Sequence, residues 1–222
     1  MTVTSLTLTS RDGFEFGAVR AEPAGARKGG LILVQEIFGI NSFMLDAARR
    51  FAAEGYEVLV PSMFDRQKPG FAREDHSAEA IAEGGGHARA NGLDAAMSDI
   101  GACIDALERP VYITGFCYGG SIAYLVACRL SGIMAASAYY GSLLPTFKAE
   151  VPKCPVIAHF GRLDAHIPME GVEAFRTARH DVSVYVYEAG HGFARQRSDD
   201  HDATSDALAF KRTLDLFSDA VR

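Results

Sequence analysis

The segment that most constrains this chain is Gly115-Phe116-Cys117-Tyr118-Gly119-Gly120, set between the apolar run VYIT at 111–114 and the helical run SIAYLVACRL. A glycine-x-nucleophile-x-glycine segment between a strand and a helix makes a sharp turn, with glycines where a side chain would strike neighbouring backbone. The turn lifts the central side chain, Cys117, above the sheet and sets it at the positive end of the following helix, where a thiolate is stabilised. The next amide, on Tyr118, is then directed at the oxygen of a bound acyl group. Taken alone, the segment also fits a tight turn around a small buried cysteine, so the rest of the chain must decide.

The remaining pattern predicts alternating strands and helices. Residues 3–8 alternate polar and apolar, Asp12-Gly13 is a turn dipeptide, and 14–21 resumes the alternation, which reads as a hairpin. The run LILV after Gly29-Gly30 is a buried strand ending near Glu36; 43–54 is a helix closed by Gly55; 57–60 is a strand stopped by Pro61; 61–73 is a loop. From Glu74 onward helical residues are interrupted by Gly84-Gly85-Gly86, after which Met97, Ile100, Ile104 and Leu107 recur at helical spacing. Further strands are expected at 134–140, 156–160 and 182–187, and a helix at 119–130 ending by Gly132. Ala207, Phe210, Leu214, Phe217 and Val221 mark one face of a C-terminal helix. Apolar strands alternating with helices predict an α/β fold: a mostly parallel central sheet with helices on both faces, an N-terminal antiparallel hairpin at one edge, and one domain over 1–222.

The formal net charge is −6, with 22 Lys and Arg against 28 Asp and Glu, which weighs against nucleic acid or an anionic membrane as partner. The first twenty residues hold no apolar run of signal-peptide length, and no stretch approaches a membrane span, so a cytoplasmic location is expected. In that setting Cys103, Cys117, Cys128 and Cys154 read as free thiols. No CxxC, H-x-E or H-E-x-x-H pattern is present, so neither metal nor organic cofactor is expected. The oligomeric state is left open by the residues, a monomer being compatible with them.

A cysteine nucleophile needs a base within hydrogen-bond reach and a carboxylate to hold that base's tautomer. In α/β-hydrolases the chain order is nucleophile, acid, histidine. Asp164, in Gly161-Arg162-Leu163-Asp164, follows the strand PVIAHFG, and His191, in Gly190-His191-Gly192-Phe193, follows VSVYVY. Both fall beyond strand ends, on the rim where such sheets bind ligands. Of the other histidines, His159 lies in an apolar strand and reads as a satisfied core residue; His76, His87, His180 and His201 read as solvated; His166 comes one loop too early for the base.

With these residues in hand, the chain resembles the dienelactone hydrolase (carboxymethylenebutenolidase) family. The resemblance rests on EIFG from Glu36 to Gly39, GFCYGG at the turn, GRLD around Asp164, and GHGFAR from Gly190 to Arg195. It implies a Cys117-His191-Asp164 triad, and an oxyanion hole formed by the backbone N–H groups of Ile37 and Tyr118. Glu36 would keep the cysteine protonated in the resting enzyme until substrate arrives, and Arg195 and Phe38 would bind substrate. The substrate would be a small lactone or ester, opened through an acyl-enzyme in the breakdown of aromatic compounds. The family's second carboxylate-binding arginine would fall between 71 and 91, where Arg73 and Arg89 are present but neither aligns convincingly. Three alternatives remain: a broader carboxylesterase or thioesterase, a glutamine amidotransferase-like enzyme, or a non-catalytic binding protein. The amidotransferase pattern usually carries His-x-Glu, whereas Gly192-Phe193 follow His191 here. The intact nucleophile, base and acid positions argue against the binding protein.

Overall fold

The computed structural model describes residues 3–221; the expected 1–222 span also includes Met1, Thr2 and Arg222, which lie outside the described residues. The chain divides into two compact units, Met1–Tyr112 and Ile113–Arg222.

In the first unit, strands β1 (Val3–Thr9) and β2 (Glu15–Ala21) form the expected antiparallel hairpin, with Leu6 opposite Ala18. Strand β2 pairs antiparallel with β4 (Tyr56–Pro61), and β4 pairs parallel with β3 (Gly29–Val34). All six residues of β3 are buried, as a continuous apolar run requires of a strand covered on both faces. Glu36 falls two residues past the end of that strand, and is itself buried. Helix α1 (Ser42–Ala53) starts where the Asn41 side chain accepts the Met44 N–H, and ends before Gly55 at φ 96°. Its Phe43, Met44, Ala47, Ala48, Phe51 and Ala52 are buried, the spacing expected of one apolar stripe.

The triple glycine does not interrupt a helix. Helix α2 (Ala78–Ala106) runs straight through Gly84-Gly85-Gly86 and breaks instead at Gly92, whose φ and ψ are 69° and 176°. Close packing explains the first of these glycines: a Cβ on Gly84 would lie 1.9 Å from the Ile37 carbonyl oxygen. The glycine is there for backbone approach, not for a turn.

The second unit is built on strands β5 (Val111–Phe116, whose first two residues belong to the first unit), β6 (Ala136–Tyr139), β7 (Val156–Gly161) and β8 (Val182–Tyr187). Neighbours in the order β5-β6-β7-β8 are all parallel, so their C-terminal ends open on the same side. Helix α3 (Tyr118–Arg129) is buried along nearly its whole length. Helix α4 (Met169–Ala178) was not anticipated; only Val172 and Phe175 are buried on it, too few to register as a periodic stripe. Helix α5 (Ala203–Asp219) was anticipated, but its buried face is rotated. Ser205, Asp206, Ala209, Thr213 and Phe217 point inward, whereas Ala207 and Val221 are exposed. Polar groups take inward positions because they find partners: Thr213 Oγ1 lies 2.8 Å from both Ser137 Oγ and Tyr139 Oη.

His159 is the satisfied core histidine expected. It is fully buried, with Nδ1 2.8 Å from Tyr187 Oη, and its burial pushes its pKa down to about 3. The same hydroxyl accepts an Arg212 N–H at 3.0 Å. The solvated reading of His87 is corrected: its ring sits half-buried against Phe71 and Phe64, at centroid distances of 4.7 and 6.0 Å. His201 is also half-buried and pairs with Asp206, and His76 packs edge-on against Phe38.

Candidate active site

Cys117 occupies the turn between β5 and α3 with φ 54° and ψ −113°, a conformation that non-glycine residues adopt only under constraint. The constraint is visible on both sides. The Cys117 N–H donates to the Tyr139 carbonyl at 3.0 Å, and the Cys117 carbonyl accepts the Ser121 N–H at 3.1 Å. A Cβ on Gly115 would lie 2.3 Å from the Gly119 carbonyl oxygen, and one on Gly120 2.4 Å from that of Tyr139. Gly115 and Gly120, two of the segment's three glycines, are therefore demanded by close backbone approach. Tyr118 is the first residue of α3, so Cys117 does stand at that helix's positive end.

Asp164 lies three residues past β7, its side chain withdrawn from solvent. Its Oδ1 accepts the backbone N–H groups of His166 (2.8 Å) and Ile167 (3.2 Å), which leaves Oδ2 for His191 Nδ1 at 2.7 Å. With Nδ1 donating to a carboxylate, Nε2 is the nitrogen free to exchange a proton. Burial works against a charged ring, yet the hydrogen bond to Asp164, and then Cys117, outweigh it and push the His191 pKa up to about 10. Two rings flank the imidazole: Tyr140, centroid 4.9 Å away, and His166, 5.1 Å away and edge-on. Cys117, Tyr118, Asp164 and His191 are thus assembled within the second unit. This arrangement can deliver a thiolate to a carbonyl and a proton to a departing oxygen.

The EIFG residues belong to the first unit, where they are held firmly. Phe38 is buried edge-on to His76 at 4.6 Å, its carbonyl accepts the Arg73 N–H at 2.9 Å, and Gly39 bridges to Ala72. The Ile37 carbonyl rests against Gly84. Arg195 is buried in the second unit, with Nη1 2.6 Å from Asp200 Oδ2. The Arg73 guanidinium meets two carboxylates, Asp75 and Glu83, each at 2.9 Å. Arg89 is exposed on α2. Sequence reasoning missed Tyr140 and the His166 ring as neighbours of the imidazole. A bulky residue at a strand end, directly before a glycine, was the only available signal for the first.

Among the described residues, no group of three or more His, Cys, Asp or Glu side chains is placed to hold a metal ion. No described helix is long and apolar enough to cross a membrane.

The family model for the dienelactone hydrolase family matches residues 16–221. A carboxymethylenebutenolidase of Pseudomonas putida is 32% identical over 231 aligned residues, covering 98% of this chain and 97% of that one. The crystal structure of a Klebsiella pneumoniae protein assigned as a dienelactone hydrolase superposes with a TM-score of 0.85 at 26% identity, covering 98% and 99% of the two chains. An esterase of Pyrococcus furiosus, 14% identical with a TM-score of 0.65 over 95% and 92%, shares the fold. The α/β-hydrolase fold, with its mostly parallel sheet and antiparallel N-terminal hairpin, is the one the sequence predicted.

Proposed function

Because the chain belongs to the dienelactone hydrolase family, and is therefore a carboxylic ester hydrolase, we propose that it opens a small lactone of the dienelactone type through a Cys117-His191-Asp164 triad. The observation that carries the proposal is the pairing of His191 Nδ1 with Asp164 Oδ2 at 2.7 Å, the other carboxylate oxygen being fixed by the His166 and Ile167 N–H groups, within the unit that holds the strained Cys117 turn. As substrate binds, the Cys117 thiol gives its proton to the Glu36 carboxylate and the thiolate attacks the lactone carbonyl. The tetrahedral oxyanion is held by the Tyr118 and Ile37 amides; a single such donor is worth roughly 100- to 1000-fold in rate. Glu36 returns the proton when the cysteine is released. Collapse expels the ring oxygen, which takes the proton from the His191 imidazolium. The neutral imidazole then takes a proton from water, hydroxide attacks the thioester, and the open-chain acid leaves while Cys117 is regenerated. Glu36 keeps the resting thiol protonated, as the family pattern implies, and its burial near a strand end supports a paired or functional role. Phe38 contacts the substrate and Arg195 binds its carboxylate. The reaction is assigned to aromatic-compound breakdown in the cytoplasm.

The test is turnover of cis- and trans-dienelactone beside a neutral p-nitrophenyl ester, in wild type, Cys117→Ala and Arg195→Ala. The proposal expects faster turnover of the anionic lactone and no turnover by Cys117→Ala. Arg195→Ala should raise KM for the lactone by about tenfold, the loss of one charged hydrogen bond. Cleavage of the neutral ester alone, unaffected by Arg195→Ala, would select the broader esterase reading.

A further inference from the structure

Cys117 is not the only strained residue at the centre of the second unit. Tyr140 has φ 36°, in the left-handed region, although it is a bulky aromatic side chain and fully buried. Such a conformation persists only where the surroundings over-determine it, and it clusters at functional sites. Here the surroundings are identifiable. The Tyr140 N–H donates to the His159 carbonyl at 2.7 Å, tying the residue to β7. The preceding carbonyl, on Tyr139, accepts the Cys117 N–H, and Tyr139 itself is anchored to Thr213 through its hydroxyl at 2.8 Å.

Beyond its chain neighbour Tyr139, the Tyr140 ring meets Phe116, His191 and Phe193. It lies 6.1 Å from Phe116, the residue before the nucleophile, and 4.9 Å from the His191 ring at 60°. It meets Phe193, two residues after His191, edge-on at 5.3 Å. One dipeptide therefore braces the nucleophile turn through its backbone and the base through its side chain.

We propose that Tyr140 is a positioning residue for the hydrolysis: its strained turn aims the ring so that His191 is held at a fixed distance and tilt relative to Cys117. Asp164 restrains only one edge of the imidazole, leaving rotation about the Nδ1–Oδ2 line unopposed by that bond. The Tyr140 ring opposes that rotation at 4.9 Å and 60°. The edge-on His166 ring differs in kind of contact: it sits on the Asp164 loop, whereas Tyr140 is tied to the nucleophile turn. The inference rests on the triad reading above.

The experiment compares Tyr140→Phe, Tyr140→Leu and Tyr140→Ala with wild type and Cys117→Ala. Readouts are kcat and KM for p-nitrophenyl acetate, and the rate at which iodoacetamide alkylates Cys117. The alanine variant opens a large cavity and can fail to fold, so the leucine variant, which keeps much of the volume without a planar ring, decides. An aromatic contact of this kind is worth about 2- to 12-fold when expressed as a rate. We expect Tyr140→Phe to match wild type within about twofold, and Tyr140→Leu to lose about tenfold in kcat at unchanged KM, with Cys117 alkylation slowed in parallel. A merely structural Tyr140 would lower the melting temperature while leaving kcat per folded molecule unchanged, which overturns the proposal. So does a Tyr140→Phe variant as impaired as Tyr140→Leu. Continued turnover by Cys117→Ala would instead sink the triad reading itself, and the Tyr140 inference with it.

Discussion

Replacing Asp164 with asparagine keeps the shape of the side chain and removes its charge. Two backbone donors, the N–H groups of His166 and Ile167, face Oδ1 and will hold an oxygen there. The amide nitrogen of the asparagine is thereby forced toward His191 Nδ1, which must turn from donor to acceptor. The ring proton moves to Nε2, the nitrogen that has to exchange it. The charge effect adds to this. The rise of the His191 pKa from the ordinary 6.5 to about 10 amounts to about 5 kcal/mol of preference for the imidazolium, shared chiefly between Asp164 and Cys117. Losing about half of that preference costs roughly 100-fold, and the tautomer reversal carries the loss toward the ~10,000-fold seen for the equivalent change in a serine-protease triad. Steady-state kcat on an activated ester, with folding checked by thermal denaturation, measures it. A folded Asp164→Asn enzyme within tenfold of wild type would refute the reasoning.

Other consequences can be checked separately. His191 is charged in the folded protein up to about pH 10 but only up to about 6.5 when unfolded, so its contribution is complete below pH 6.5 and disappears as the pH climbs toward 10. The melting temperature of wild type should accordingly fall more steeply between pH 7 and 10 than that of His191→Ala; parallel curves would contradict the shift. Gly115→Ala places a Cβ 2.3 Å from the Gly119 carbonyl oxygen, a collision with backbone that no rotamer relieves. It should lose at least about 1–3 kcal/mol of stability, and an unchanged denaturation midpoint would show that the turn is not built as described.

How far the sequence could be read depended on whether each feature was local. The nucleophile turn was legible because strand, glycines and helix follow one another directly, and the structure adds only which backbone atoms the glycines must clear. That Asp164 and His191 meet was legible from chain order and strand ends. Misreadings arose where distant packing decides. The triple glycine looked like a break because glycine disfavours helices, yet the chain at Ile37 needs one of those glycines to come close. Helix α5 was turned by polar partners on β6, which override an apolar periodicity that pointed slightly elsewhere. Tyr140 carries only the weak signal of a bulky residue before a glycine at a strand end, since a positive φ at a tyrosine is imposed by the strands on either side of it.

The central claim is that Cys117 becomes covalently acylated. The most direct measurement is intact-protein and peptide mass spectrometry of wild type quenched in acid within the first turnover of a p-nitrophenyl ester. The account predicts a mass increase equal to the acyl group, located on the peptide containing Cys117 and absent in Cys117→Ala. Turnover by Cys117→Ala at the wild-type rate, or an acyl group located on another residue, would contradict it.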